Sequence, residues 1–156
     1  MPTPDQNLIA LGITLPAPNA PLANYVPYVL TGNLLTISGQ VCFNSEGKIS
    51  PQHIGKLGAE VSVEDGQAAA KLCAINIFAQ AKAALGDLSR IKRCIRLGGF
   101  INSAPDFPSL PLVMNGASDF MVAVLGDAGR HARSTVGVAQ LPANCAVEVE
   151  ATFEIY

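Results

Sequence analysis

Charge is scarce in this 156-residue chain: Asp, Glu, Lys and Arg make up 14% of it, the net charge is −2, and the one dense basic run is KRCIR at 92–96. Proteins that grip nucleic acid neutralise phosphates with a basic face. None is legible here, so nucleic acid is not an expected partner. Histidine is limited to His53 and His131, and the cysteines, Cys42, Cys73, Cys94 and Cys145, stand far apart with no CxxC pair. Zinc sites use closely spaced thiolates and imidazoles. No metal is therefore expected, and each thiol reads as a small buried apolar group. No apolar run approaches a membrane span, and the N-terminus lacks the basic-then-apolar pattern of an export signal. The expectation is a soluble, cytoplasmic protein in a reducing compartment. There is no phosphate-binding glycine loop of the P-loop or GxGxxG type and no internal repeat, so no bound cofactor is expected.

What is abundant is apolar residues, at 49%. That is more than one small domain usually hides, and it points to an oligomer. The length suits a single domain, 1–156. Residues 1–23 are Pro-rich and weakly periodic and read as an extended arm. Tyr25–Leu30 and Leu34–Cys42 are β-rich runs joined by Thr31, Gly32 and Asn33, the composition of a hairpin turn. An insert of no evident role, 44–62, follows, with one possible short strand at 55–61; His53 within it reads as a surface residue.

A helix is predicted from an N-cap at Ser62, with Glu64 and Asp65 suiting its positive end, to Gly86. Its apolar residues run most of the way round, so it must be covered on more than one side. Ile91–Asn102 reads as a strand with a bulge or close backbone approach at Gly98 and Gly99. A second helix runs from about Ser109 to Leu125, its end marked by Gly126 or Gly129. Ala132–Gln140 and Ala146–Tyr156 read as strands of an antiparallel hairpin. The second alternates strictly, Val147, Val149, Ala151, Phe153 and Ile155 on one face and Glu148, Glu150, Thr152 and Glu154 on the other. The whole predicts an α+β fold, a mixed sheet with two helices packed on one face.

Few polar groups can carry chemistry. Arg133 stands in a run of small and apolar residues, where a guanidinium can either hold a carboxylate bidentately or pair structurally with a strand glutamate. Glu148 and Glu150 can equally be the solvated face of their strand. His131, two residues before Arg133, is a candidate to border a pocket.

The run ARSTVGVAQLP followed by VEVEA resembles the signature of the RidA/YjgF family of enamine/imine deaminases. ANYVPYV around Tyr25, GNLLTISGQV at 32–41 and MNGASDF around Asn115 extend the resemblance in the family's order. It implies a chorismate-mutase-like fold and a trimer whose sheets close around a central β-barrel. It also implies hydrolysis of 2-aminoacrylate-like enamines or imines to 2-oxo acids and ammonia, with no cofactor. In that scheme Arg133 holds the substrate carboxylate and Glu148 positions or activates water. Tyr25, Ser38, Gly39, Asn115 and Thr135 line the substrate site, and Thr135 stands where relatives often carry cysteine. A non-catalytic carboxylate-binding sensor or interaction trimer is the alternative. A ribonuclease or translation-inhibitor role expects a basic surface that this chain lacks. In the expected hairpin Glu148 faces Val138, which puts Arg133 roughly 16 Å away and implies a pocket shared across a subunit interface.

Overall fold

A computed structural model describes residues 1–21 and 23–156. The order is α1 (Pro4–Ala10), β1 (Tyr28–Thr31), β2 (Leu34–Val41), α2 (Val63–Leu85), β3 (Ile91–Asn102), α3 (Leu110–Leu125), β4 (Ala132–Val138) and β5 (Val147–Ile155). The five strands form one sheet in the order β1-β2-β5-β3-β4. Every pairing is antiparallel except β3 with β4, so the fold is α+β with a mixed sheet.

Local chemistry sets the helix ends. Ser62 Oγ accepts from Asp65 N at 3.1 Å, which satisfies one of the orphan donors of the α2 N-terminus. The helix stops at Gly86, whose φ of 75° suits a residue without Cβ, and whose N–H bonds Lys82 O. Between these ends Ala69, Ala70, Cys73, Ala74, Ile77, Phe78 and Ala81 are buried. The sheet covers one side of α2 and α3 covers another. Phe78 spans the layers, its ring 6.0 Å from Phe120 of α3 and 6.2 Å from Phe153 of β5. Truncating such an aromatic costs about 3–5 kcal/mol. Gly116 of α3 lets the helices approach, because a Cβ there would lie 2.8 Å from the Gln67 carbonyl carbon.

Several expectations need correction. The N-terminal arm is not wholly extended: Pro4–Ala10 is a helix closed by a capping box between Thr3 and Gln6. Asn7 Nδ2 donates to Val124 O at 2.8 Å and Leu8 is buried, so α1 is held by α3, not by its own length. Leu22, within the expected arm, lies outside the described residues. The possible strand at 55–61 reduces to isolated bridges at Leu57 with Val61 and Ser103. His53 is buried, not a surface residue. It belongs to a 3-10 turn at Pro51–His53, its carbonyl accepts from Ala146 N at 2.9 Å, and Leu57 and Val61 of the same insert enter the core. The insert thus plugs one end of the sheet. Irregular register in β3 falls at Ile91/Arg93 and Cys94/Arg96, not at Gly98 and Gly99. The other reading of those glycines, a close approach to the backbone, holds: they make room for the side chains of Glu150 and Met114.

The expected β4–β5 hairpin is also wrong. β4 runs parallel to β3, and β5 lies between β2 and β3. All five inward residues of β5 are buried, whereas β4 is partly exposed throughout. The strand with most apolar surface to hide takes a central position and β4 takes an edge. The 139–146 connection passes over the end of β3, where Asn102 N donates to Ala146 O at 2.9 Å.

Candidate functional site

β1 pairs only with Leu34–Ile37, so the second half of β2 keeps an open edge. Residues 19–21, Tyr25, Pro27 and α2 close around this notch and leave a cavity of about 320 Å³ with Glu148 in its wall. Val147 and Val149 point into the core, so strand alternation sends Glu148 to the opposite face. Its carboxylate lies against Gly39, where an added Cβ would stand 3.0 Å from Glu148 Cδ and closer still to Oε1. The register irregularity between Ile37 and Gln40 brings that glycine under the carboxylate. Burial, and secondarily the charge of Glu150, raises the Glu148 pKa above the ordinary carboxylate value. A half-buried carboxylate made more basic and turned toward a cavity is suited to taking a proton from water.

Ser38 and Tyr25 also belong to this notch. Ser38 Oγ donates to Val26 O at 2.6 Å and Ser38 N to Pro27 O at 2.9 Å, which clips the segment bearing Tyr25 onto β2. The Ser38 hydroxyl proton is thereby committed, and the residue positions the rim. Tyr25 is 57% exposed at that rim.

The other predicted residues assemble elsewhere. Arg133 Nη1 donates to Asn115 Oδ1 at 2.9 Å and to Ser118 Oγ at 3.1 Å, both on α3. Ser118 bonds His131 Nε2 at 2.9 Å, and His131 Nδ1 lies 2.6 Å from Gly129 O. A carbonyl can only accept, so Nδ1 carries a hydrogen, and on a neutral ring Nε2 accepts from Ser118. Ser118 then offers its lone pairs to Arg133. The chain of bonds orients the guanidinium, and no carboxylate pairs with it among the described residues. Thr135 lies on the same strand with its Oγ1 buried and unpartnered. Ser118 escaped the sequence reading, although a helical spacing of three from Asn115 places both on one face.

Within one chain the two groups do not meet. Arg133 is in register with Leu97 and Glu148 with Phe100, two strands apart. Three residues along the strands and two strand spacings across them give about 14 Å. They also face opposite ways. Arg133 reaches α3 on the core side, and Glu148 points to the open face.

The cysteines do not extend either group. All four are buried and free, and burial pushes the Cys73 thiol well up and the Cys94 thiol up to about 12. They fill the core. Among the described residues no group of His, Cys, Asp or Glu is arranged to hold a metal.

Residues 5–154 match the model of the YjgF/chorismate mutase-like family, whose description adds a proposed endoribonuclease activity. Protein TCP17 of Trypanosoma cruzi is 51% identical over 150 residues, covering 96% of this chain and 92% of that protein. The crystal structure of Atu1372, a protein of unknown function from Agrobacterium tumefaciens, aligns with a TM-score of 0.90 at 51% identity, covering 98% of this chain and 92% of that one. Escherichia coli TdcF with bound serine aligns with a TM-score of 0.65 at 26% identity, covering 92% and 96%. The two site motifs, their order along the chain and these likenesses agree, and the chain belongs to the YjgF/RidA family.

Proposed function

We propose that this protein hydrolyses 2-imino acids and their enamine tautomers to 2-oxo acids and ammonia, in a pocket shared by neighbouring protomers of a homotrimer. The observation that carries the reading is Arg133. It is a half-buried guanidinium oriented by two neutral oxygens and paired with no carboxylate among the described residues. A partly desolvated cation without an anion is held at a cost, and a ligand carboxylate relieves it. Serine, the molecule bound to TdcF, carries such a carboxylate.

Glu148 supplies the second requirement. An imine carbon is already electrophilic, so the protein must hold the substrate and aim a water at it. Glu148 takes one proton from water as its oxygen adds to C2 and passes it to the imine nitrogen; it then takes the hydroxyl proton of the carbinolamine and passes it to the same nitrogen as the C–N bond breaks and the carbonyl forms. Imine and water become 2-oxo acid and ammonia, with no redox change. The protonation state of Glu148 is restored in each turnover.

A trimer brings the two halves together. Val29, Leu34 and Val136 leave apolar surface on the open sheet face, with exposures of 50%, 37% and 46%. A closed cyclic assembly covers that surface and sets Arg133 of one protomer against Glu148 of its neighbour. To test this, imines are generated in situ by an amino-acid oxidase, and ammonia release is followed with Arg133→Ala and Glu148→Ala chains, alone and co-expressed. The parents are expected to be inactive, and the mixture to regain part of the wild-type rate through sites with both residues intact. Verified mixed trimers as inactive as the parents would rule out the shared site.

A further inference from the structure

The cavity beside Glu148 is larger than a three-carbon substrate requires. At about 30 Å³ per water-sized group, 320 Å³ has room for roughly ten such groups. With the carboxylate held by the neighbouring Arg133, the proposed C3 substrate would place only C2, C3 and the nitrogen in it. Room for about seven further groups remains.

Its walls say what fills it. Ala20 and Pro21 of the N-terminal segment and Val41 and Phe43 of the β2 end make them mostly apolar. Two lining residues are buried amides, Gln40 and Gln80, 8% and 2% exposed, and so lie deeper than the exposed Tyr25 at the rim. Gln80 Nε2 donates to Asn19 O at 2.9 Å, and Gln40 Nε2 to Ser38 O at 3.0 Å. Neither carbonyl oxygen accepts from a described residue. One helical turn before Gln80, Asn76 Nδ2 donates to Val41 O and Phe43 O at 3.2 and 3.0 Å. The back wall is thus held in place by α2. Each glutamine oxygen is therefore free to accept from a ligand donor placed against it.

We infer that this cavity is a side-chain subsite for 2-imino acids whose side chain has an apolar body of about six heavy atoms and a hydrogen-bond donor at its tip, a phenol being the best match. The inference rests on the carboxylate-site reading above.

Binding of three unreactive 2-oxo acids by calorimetry tests it: pyruvate, 3-phenyl-2-oxopropanoate and 3-(4-hydroxyphenyl)-2-oxopropanoate. The hydroxyphenyl acid is expected to bind at least tenfold tighter than pyruvate, with the phenyl acid between them. Ala20→Trp fills the subsite from a segment outside the core and is expected to bring the three acids to one affinity. Gln80→Met keeps the volume and is expected to erase only the difference between the two aryl acids. Equal wild-type affinities, or a preference untouched by Ala20→Trp, would overturn the subsite. Pyruvate binding that needs Arg133 would meanwhile leave the carboxylate site standing. Failure of all three acids to bind would overturn both.

Discussion

Gly39→Ala isolates the geometry of the proposed base. The new Cβ would stand 3.0 Å from Glu148 Cδ and 3.3 Å from Cγ, and nearer to Oε1, so the carboxylate must swing away. Overpacking a core typically costs about 1–3 kcal/mol. Here the obstructing atoms end a flexible side chain beside a cavity, and the low end, about 1 kcal/mol, is expected. For a chain of this size that is a fall in Tm of about 2–4 °C. The rate should suffer far more. A positioned general base is worth about 10²–10⁴-fold, so ammonia release should drop by about 10²-fold or more while the protein stays folded. Adding Glu148→Gln to Gly39→Ala should then change little, because both remove one contribution. A Gly39→Ala protein that hydrolyses imines at the wild-type rate would refute the placement of Glu148 as base.

Glu148 owes its raised pKa first to burial and second to Glu150. The base works deprotonated, so activity should fall on the acid side at a higher pH than an unperturbed carboxylate would give, and Glu150→Gln should move that limb of the kcat/KM profile to lower pH. A limb that stays put or moves up would contradict the assignment. Arg133→Lys keeps the charge but loses the planar fork. It should leave Tm nearly unchanged while weakening 2-oxo acid binding, and Arg133→Ala should cost about 2–5 kcal/mol of that binding by titration calorimetry. Gly116→Ala should lower stability by about 1–3 kcal/mol in a denaturant melt, because the Gln67 backbone cannot give way as a side chain can.

The elements whose ends rest on local chemistry were legible in the sequence. Ser62, Gly86 and Gly126 mark their helix ends through a capped N–H or a positive φ, and neither depends on distant residues. The missed helix α1 had its own local signal in the Thr3–Gln6 box and Pro4. Seven residues, however, form a helix only where something holds them, and Val124 and the Lys82–Asp5 pair at 2.9 Å lie over seventy residues away. The hairpin failed for a related reason. Alternation in β5 tells which residues face the core, but not which strand lies alongside. Burial of His53 was hidden too, because its neighbours in the core come from the far end of the chain.

The same limit explains why the candidate site reads as two halves. Arg133 on the core side of β4 and Glu148 on the open side of β5 are separated by the sheet itself, and no side-chain rotation carries one through a close-packed layer to the other. A site needing both has only the assembly as its route. In the proposed shared site the edge position of β4 becomes functional: a strand paired on one side only leaves its helix-facing arginine at the margin of the protomer, where a neighbour's notch would reach it. The notch is open for a matching reason, since β1 begins only at Tyr28, opposite Ile37, and leaves the later part of β2 uncovered. Lengthening β1 to pair along all of β2 would satisfy more backbone groups and close the pocket. On this reading the short strand and the exposed edge are the two places where local stability is given up so that one protomer can complete the site of the next.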